Sequence, residues 1–106
     1  MSEHALAKLN ENVQRYSKIL GVDPLSVGIR SFKGRWGSCS SQGKLLFNWK
    51  IIVAPTSVVD YVVIHELCHL IHHNHGPKFW KTVEQACPVF REHKEWLRVH
   101  GDTLDV

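Results

Sequence analysis

The chain is expected to fold as an α+β domain, because strand-like patterns occupy its first half and helical patterns its second. Three observations set that expectation. Leu6, Leu9, Val13, Tyr16 and Leu20 recur at helical spacing. Val27, Ile29 and Phe32 then alternate with Gly28, Arg30 and Ser31, which is the period of a half-buried strand. From 58 to 71 most positions are apolar, as in a helix buried on nearly every side.

The first helix is predicted over residues 3–20, with Gly21 as its C-terminal cap. Asp23-Pro24 makes the turn into the first strand. The stretch from Arg35 to Gly43 is rich in Gly and Ser and reads as a loop. Leu45 to Phe47 resumes a strand that runs on toward Ile52, and the two strands are expected to pair as an antiparallel hairpin. Pro55-Thr56-Ser57 punctuates the chain before a helix over 58–73. Thr56 or Ser57 can cap it, and Asp60 would meet the positive end of its dipole. Gly76 and Pro77 stop this helix and open another, Pro77 to Ala86. Pro88 ends that one, and 89–99 is a last amphipathic helix with Phe90, Trp96 and Leu97 inward.

The 106 residues fit a single domain spanning 1–106. With 43% hydrophobic and 22% charged residues, the composition is that of an ordinary globular chain. It contains no apolar run long enough to span a bilayer and no secretory leader pattern, so a cytoplasmic location and no membrane partner are expected. A net charge of +3 is too small to argue for nucleic acid by itself. Cys39, Cys68 and Cys87 cannot all pair and match no zinc-finger spacing, so they are read as reduced thiols. The histidines are more informative. The chain has 8, and His65, His69, His72, His73 and His75 crowd one segment.

His65-Glu66-Leu67-Cys68-His69 carries the chemical argument. Residues i and i+4 of a helix share a face, about 6 Å apart along the axis. Two imidazoles so placed can grip one ion at Zn–N distances of about 2.0–2.1 Å. Glu66 then points beside the metal, where it can take a proton from a metal-bound water, and the apolar flank of Val62, Val63, Ile64 and Leu67 keeps that site dry. A third ligand cannot come from His72, which lies about 10.5 Å along the axis from His65 on the same face. The chain must leave the helix and return, and His75, between Asn74 and Gly76, is the chosen ligand. His72 and His73 are read as solvated or as supporting the ligands, and Glu84 on the next helix as the runner-up ligand. Cys68 is assigned to the core, and Cys39 to packing in its loop. Water would occupy the fourth position, as catalytic zinc requires. Imidazole sites also accept iron, cobalt and nickel.

The combination of His65-Glu66-Leu67-Cys68-His69 with Asn74-His75-Gly76 and Phe79-Trp80 resembles the YgjP-like metallopeptidase domain, related to the SprT-like and WLM zinc proteases. Arg35-Trp36-Gly37-Ser38-Cys39-Ser40, Phe47-Asn48-Trp49, Ala54-Pro55, Asp60-Tyr61-Val62-Val63, Pro88, Trp96-Leu97 and Gly101 extend the likeness over about residues 13–101. The resemblance implies a minimal zincin fold: a small antiparallel sheet packed on the central HExxH helix, with N- and C-terminal helices. It implies His65, His69 and His75 as zinc ligands and Glu66 as the catalytic acid/base. It also implies a sheet edge beside the cleft to which a peptide or unfolded-protein substrate adds as a strand; residues 44–53 are the candidate edge. Members are often longer, so the chain is expected to be the catalytic core of such a protein.

The leading functional expectation is therefore a zinc metallopeptidase, with Arg35 as a substrate or oxyanion donor. One alternative is a nucleoside triphosphate (UTP) pyrophosphatase, an activity also attributed to this family. Arg30, Lys33, Arg35, Lys44 and Lys50 would hold its phosphates, although no glycine-rich phosphate loop is present. Another is a DNA-associated protease module, with Trp36 and Trp49 stacking on bases. A structural zinc domain would need Cys39 or Cys87 as a closing thiolate.

Overall fold

The computed structural model describes residues 2–100, and Gly101 of the family likeness lies outside them. Helix α1 runs Ser2–Leu20, β1 Ser26–Arg30, β2 Gly37–Cys39 and β3 Lys44–Asn48. A 3₁₀ helix, Trp49–Val53, then leads into α2 Thr56–Cys68, α3 Pro77–Ala86 and α4 Phe90–His100. The α+β expectation holds, and every predicted helix is present.

Helix α1 closes as its sequence predicts. Gly21 takes φ +72, and Val22 N–H bonds the Ser17 carbonyl at 3.0 Å, a Schellman closure that needs a residue without Cβ. Leu9 and Val13 are buried on the inner face. Helix α2 is the hub, touching α1, α3, α4 and β2. Val58, Val59, Tyr61 to Ile64, Leu67 and Cys68 are all buried in it. Its capping differs from expectation. Pro55 is the N-cap, with its carbonyl accepting from Val58 N and Val59 N. Thr56 and Ser57 are already helical and exposed, and no side chain caps the end. Asp60 lies beyond the first turn and instead faces Tyr16 of α1, whose hydroxyl is pushed up first by burial and then by that carboxylate.

The sheet corrects the hairpin expectation. Its order is β1-β3-β2, with β1 parallel to β3 and β2 antiparallel to β3. The Gly-Ser stretch read wholly as loop contains β2, and the hairpin lies between β2 and β3. Its turn is closed locally. Ser40 N bonds Lys44 O at 2.9 Å, Ser40 Oγ accepts from Gln42 N and Lys44 N, and Gly43 takes φ +90. Gly and Ser have poor strand propensity, but backbone pairing to a buried neighbour overrides it. The candidate edge 44–53 is likewise corrected. Residues 44–48 form the central strand, paired on both sides, and 49–53 turn into the 3₁₀ helix rather than continuing the strand. The edge that packs on α2 is β2.

Asn48 ties this corner together. It is buried, with Nδ2 donating to Phe32 O at 3.3 Å and Arg35 O at 3.1 Å, while Oδ1 accepts from Lys50 N at 3.1 Å. Its backbone N–H donates to Trp36 O at 2.8 Å. One side chain thus fixes the path of the loop that leads into β2. Replacing Asn48 by Asp turns the donor of two bonds into an acceptor and orphans two carbonyls. Asn48→Asp should lower unfolding stability by about 1–3 kcal/mol for each carbonyl that finds no water, read as a fall in the urea midpoint without a change in slope.

Candidate metal centre

Helix α2 ends earlier than its apolar pattern suggests, at Cys68 instead of His73, and this shortening makes the site. His69, Leu70 and Ile71 donate to the carbonyls three residues back, Glu66, Leu67 and Cys68, at 3.2, 3.0 and 3.1 Å. Such i→i+3 bonds tighten the last turn. The chain then reverses and reaches α3 with Pro77 at its first position. The reversal uses no left-handed residue. Neither Asn74 nor Gly76 has positive φ, and a Cβ on Gly76 would meet nothing within 4 Å.

The result is a convergence of three imidazoles. One ligand atom each from His65, His69 and His75 lies within 4.8 Å of the others. The Nε2 atoms of His69 and His75 are 3.0 Å apart. Two nitrogens bound to one tetrahedral ion at about 2.05 Å would sit about 3.3 Å apart, so the donor set suits a cation. Burial lowers the pKa of His69, helped by His65 and His75 and opposed by Glu66. Burial, His65 and Lys94 lower that of His75, again against Glu66. Both shifts favour the neutral ring, the form that ligates metal.

Glu66 is 6% exposed, and its Oε2 lies 3.3 Å from His65 Nδ1. Its other neighbour is backbone. A Cβ built on Gly37 of β2 would lie 3.0 Å from Glu66 Cγ and 3.1 Å from Oε2. Only a residue without a side chain lets β2 approach the carboxylate this closely. Arg35, Trp36 and Gly37 then line a cavity of about 190 Å³ together with Tyr61, Val62, His65, Glu66 and Leu97. Arg35 therefore shares a cavity with Glu66.

An aromatic wall from α3 backs the imidazoles. Phe79 is fully buried, with its ring centroid 5.2, 4.7 and 4.9 Å from those of His65, His69 and His75. Trp80 stacks on His75 at 5.9 Å and carries Lys94 Nζ 4.5 Å from its centroid. The sequence reading did not place Gly37, Tyr61, Phe79 or Lys94 in the site. A signal existed for Tyr61, which lies four residues before His65 and so on the same helical face; its hydroxyl is pushed up to about 12, chiefly by burial. Nothing local marks Gly37, whose role depends on a tertiary contact.

The remaining candidates fall elsewhere. Glu84, the runner-up ligand, is exposed and pairs with Arg91 at 3.1 Å. His72 Nε2 lies 3.1 Å from Thr82 Oγ1, whose hydroxyl donates to Lys78 O. His72 thus acts as donor, pinning the ligand loop to α3. His73 is exposed. Cys68 is fully buried, its thiol raised by burial to about 12. Cys39 is half-buried on β2, its thiol raised by burial and by the Glu66 carboxylate. Among the described residues no thiol joins the converging ligand atoms. Trp36 lines the Glu66 cavity, whereas Trp49 is 41% exposed, donating to Ser31 Oγ at 3.2 Å.

Three imidazoles with an adjacent buried carboxylate are a donor set that suits a metallohydrolase. The sequence matches the YgjP-like metallopeptidase domain over residues 1–100, and the chain belongs to that family, a hydrolase by class. The metallopeptidase zymogen of Pyrococcus abyssi abylysin is similar in fold, with TM-score 0.77 and 24% identity over 89% of this chain and 93% of that one. The metallopeptidase zymogen of Methanocaldococcus jannaschii jannalysin aligns with TM-score 0.66 and 22% identity, over 73% of this chain and 79% of that one. No curated protein sequence matches the chain.

Two glycine substitutions should separate. Gly37→Ala is expected to displace the Glu66 carboxylate and lower turnover about tenfold or more with the metal content unchanged, whereas Gly76→Ala should leave both turnover and folding near wild type. The histidine shifts also have a sign. Because burial lowers the folded-state values of His69 and His75, their contribution to the metal-free protein is present above the unfolded value near 6.5 and is lost as pH falls through the folded values. The urea midpoint of the chelator-treated protein should accordingly drop between pH 7 and pH 5, and less so in His69→Gln.

Proposed function

We propose that this chain is a zinc-dependent peptidase in which Glu66 is the general base and His65, His69 and His75 hold the ion. One observation carries the reading: three ring nitrogens gather within 4.8 Å beside a carboxylate that is almost fully buried. Three histidines and no thiolate leave a fourth coordination position for the reaction, as in catalytic rather than structural zinc sites. When bound, the ion acidifies a coordinated water and polarises the scissile carbonyl.

The other roles belong to side chains and backbone of this protein. Glu66 accepts the proton of the attacking water and returns it to the leaving amine, and its position between Gly37 and His65 holds the carboxylate ready for both transfers. Arg35, on the rim of the same cavity, is the proposed donor to the oxyanion. The substrate adds as an extended strand to β2, which ends the sheet at the site and, among the described residues, has its second edge free of strand pairing; the main chain of β2 supplies the hydrogen bonds. An unfolded protein segment or peptide fits such an edge. No helix among the described residues is long and apolar enough to cross a membrane.

The test compares zinc-loaded wild type with Glu66→Gln on an unfolded protein and a mixed peptide library. Cleavage should fall by about 10²–10⁴-fold in the variant with zinc content retained, while His69→Ala should lose the ion. Zinc-loaded wild type that cuts no peptide, but releases pyrophosphate from UTP in a Glu66-dependent manner, would replace the peptidase reading with the nucleotide one.

A further inference from the structure

Beside Glu66 the protein leaves a pocket whose apolar walls, Trp36, Tyr61, Val62 and Leu97, are not used by proton transfer or ion binding. Its volume is about 190 Å³, and it is lined by Trp36, Tyr61, Val62 and Leu97 together with Arg35, Gly37, His65 and Glu66. Pockets that enclose whole small-molecule ligands occupy about 300–1,000 Å³. This one is smaller, on the scale of one amino-acid side chain. Its walls come from three separate elements, since Trp36 precedes β2, Tyr61 and Val62 are on α2, and Leu97 is on α4. Each wall is held in place. Trp36 is fixed by its carbonyl, which accepts from Asn48 N at 2.8 Å, Tyr61 is 5% and Val62 3% exposed, and Leu97 packs against the core.

Two features give the pocket its chemical preference. Trp36, Tyr61, Val62 and Leu97 present ring and aliphatic surface, so an inserted apolar group exchanges water for apolar contact. Of the two oppositely charged groups in the lining, Arg35 is exposed whereas the Glu66 carboxylate is buried beside His65, so an acidic side chain that reached Glu66 would meet a like charge. Gly37 is part of the lining, and its lack of a side chain lets β2 come up against Glu66. Because Gly37 both belongs to β2 and lines the pocket, a substrate strand paired with β2 would run beside it.

We infer that this pocket is a specificity site that receives a large apolar side chain, aliphatic or aromatic, from a residue flanking the scissile bond, with Leu97 setting its depth. The inference rests on the peptidase reading of the same site and adds the substrate class to it. Leu97 offers no ligand atom and stands on α4, apart from the segment 65–75 that carries the converging nitrogens and Glu66, so its substitution is expected to alter pocket size and leave the ion and base in place. Trp36 and Val62 are less suitable probes, since one anchors the loop into β2 and the other is buried in the central helix.

The experiment profiles zinc-loaded wild type, Leu97→Trp and Leu97→Ala on a peptide library randomised at the two positions flanking the cut, with thermal unfolding and zinc content measured on each protein. Wild type should favour Leu, Met or Phe over Gly and Asp by about 10–100-fold at one of the two positions, the range that apolar pocket contacts supply. Leu97→Trp should move the preference at that position to Ala or Gly, and Leu97→Ala should move it to Phe or Trp. If Leu97→Trp fails to fold, the shift in Leu97→Ala alone decides. A wild type that cuts peptides with no apolar preference at either position, or folded Leu97 variants that keep the wild-type profile, overturns the pocket assignment while the peptidase reading stands. A wild type that cuts no peptide overturns both.

Discussion

Everything at this centre depends on getting three imidazole nitrogens to face one point, which a straight helix cannot do alone. One comes from the last turn of α2 and the second from its C-cap, His69. The third requires the backbone to abandon the helix at Cys68 and double back within seven residues. The i→i+3 bonds of His69, Leu70 and Ile71 are the physical means of that departure. They keep these three N–H groups satisfied while the axis ends. α3 then meets the returning loop with Phe79 and Trp80, whose rings fill the space behind the histidines.

The Glu66 carboxylate is fixed from two sides that differ in origin. His65 is its neighbour in sequence, and the contact is available to any helix carrying this pair. Gly37 is a neighbour only through the fold, since it requires β2 to be an edge strand laid against α2 and the sheet to have the order β1-β3-β2. Asn48 links the two by holding the loop before β2 with both amide hydrogens. A residue far from the ligands in sequence thereby governs where the carboxylate can sit.

The helices were legible in the sequence because their signals are local. Helical spacing in α1, a glycine at its end, proline at the start of α3 and the break at Pro88 each act within a few residues. The imidazole pair was legible for the same reason, and His75 followed from asking how a third ring could arrive. The sheet was not legible. Parallel pairing of β1 with β3 passes over an inserted strand made of Gly, Ser and Cys, whose composition resembles a turn, and only the tertiary partner reveals it. The end of α2 was misplaced because Leu70 and Ile71 continue the apolar pattern past the point where the backbone changes its bonding. The three histidines implied by the family likeness do converge in space, while the sheet edge inferred from it fell on the central strand.

The loop from 69 to 76 is short and is tethered at both ends, by the last turn of α2 and by the first turn of α3, with His72 fastened to Thr82 in between. Such a tethered segment has few arrangements to explore when no ion is bound. Most of the ordering that a metal site demands is therefore completed when the polypeptide folds, and capture of a cation requires little further loss of freedom. A centre of this kind would exchange its ion without passing through an unravelled state, in contrast to small zinc modules in which the metal itself drives folding.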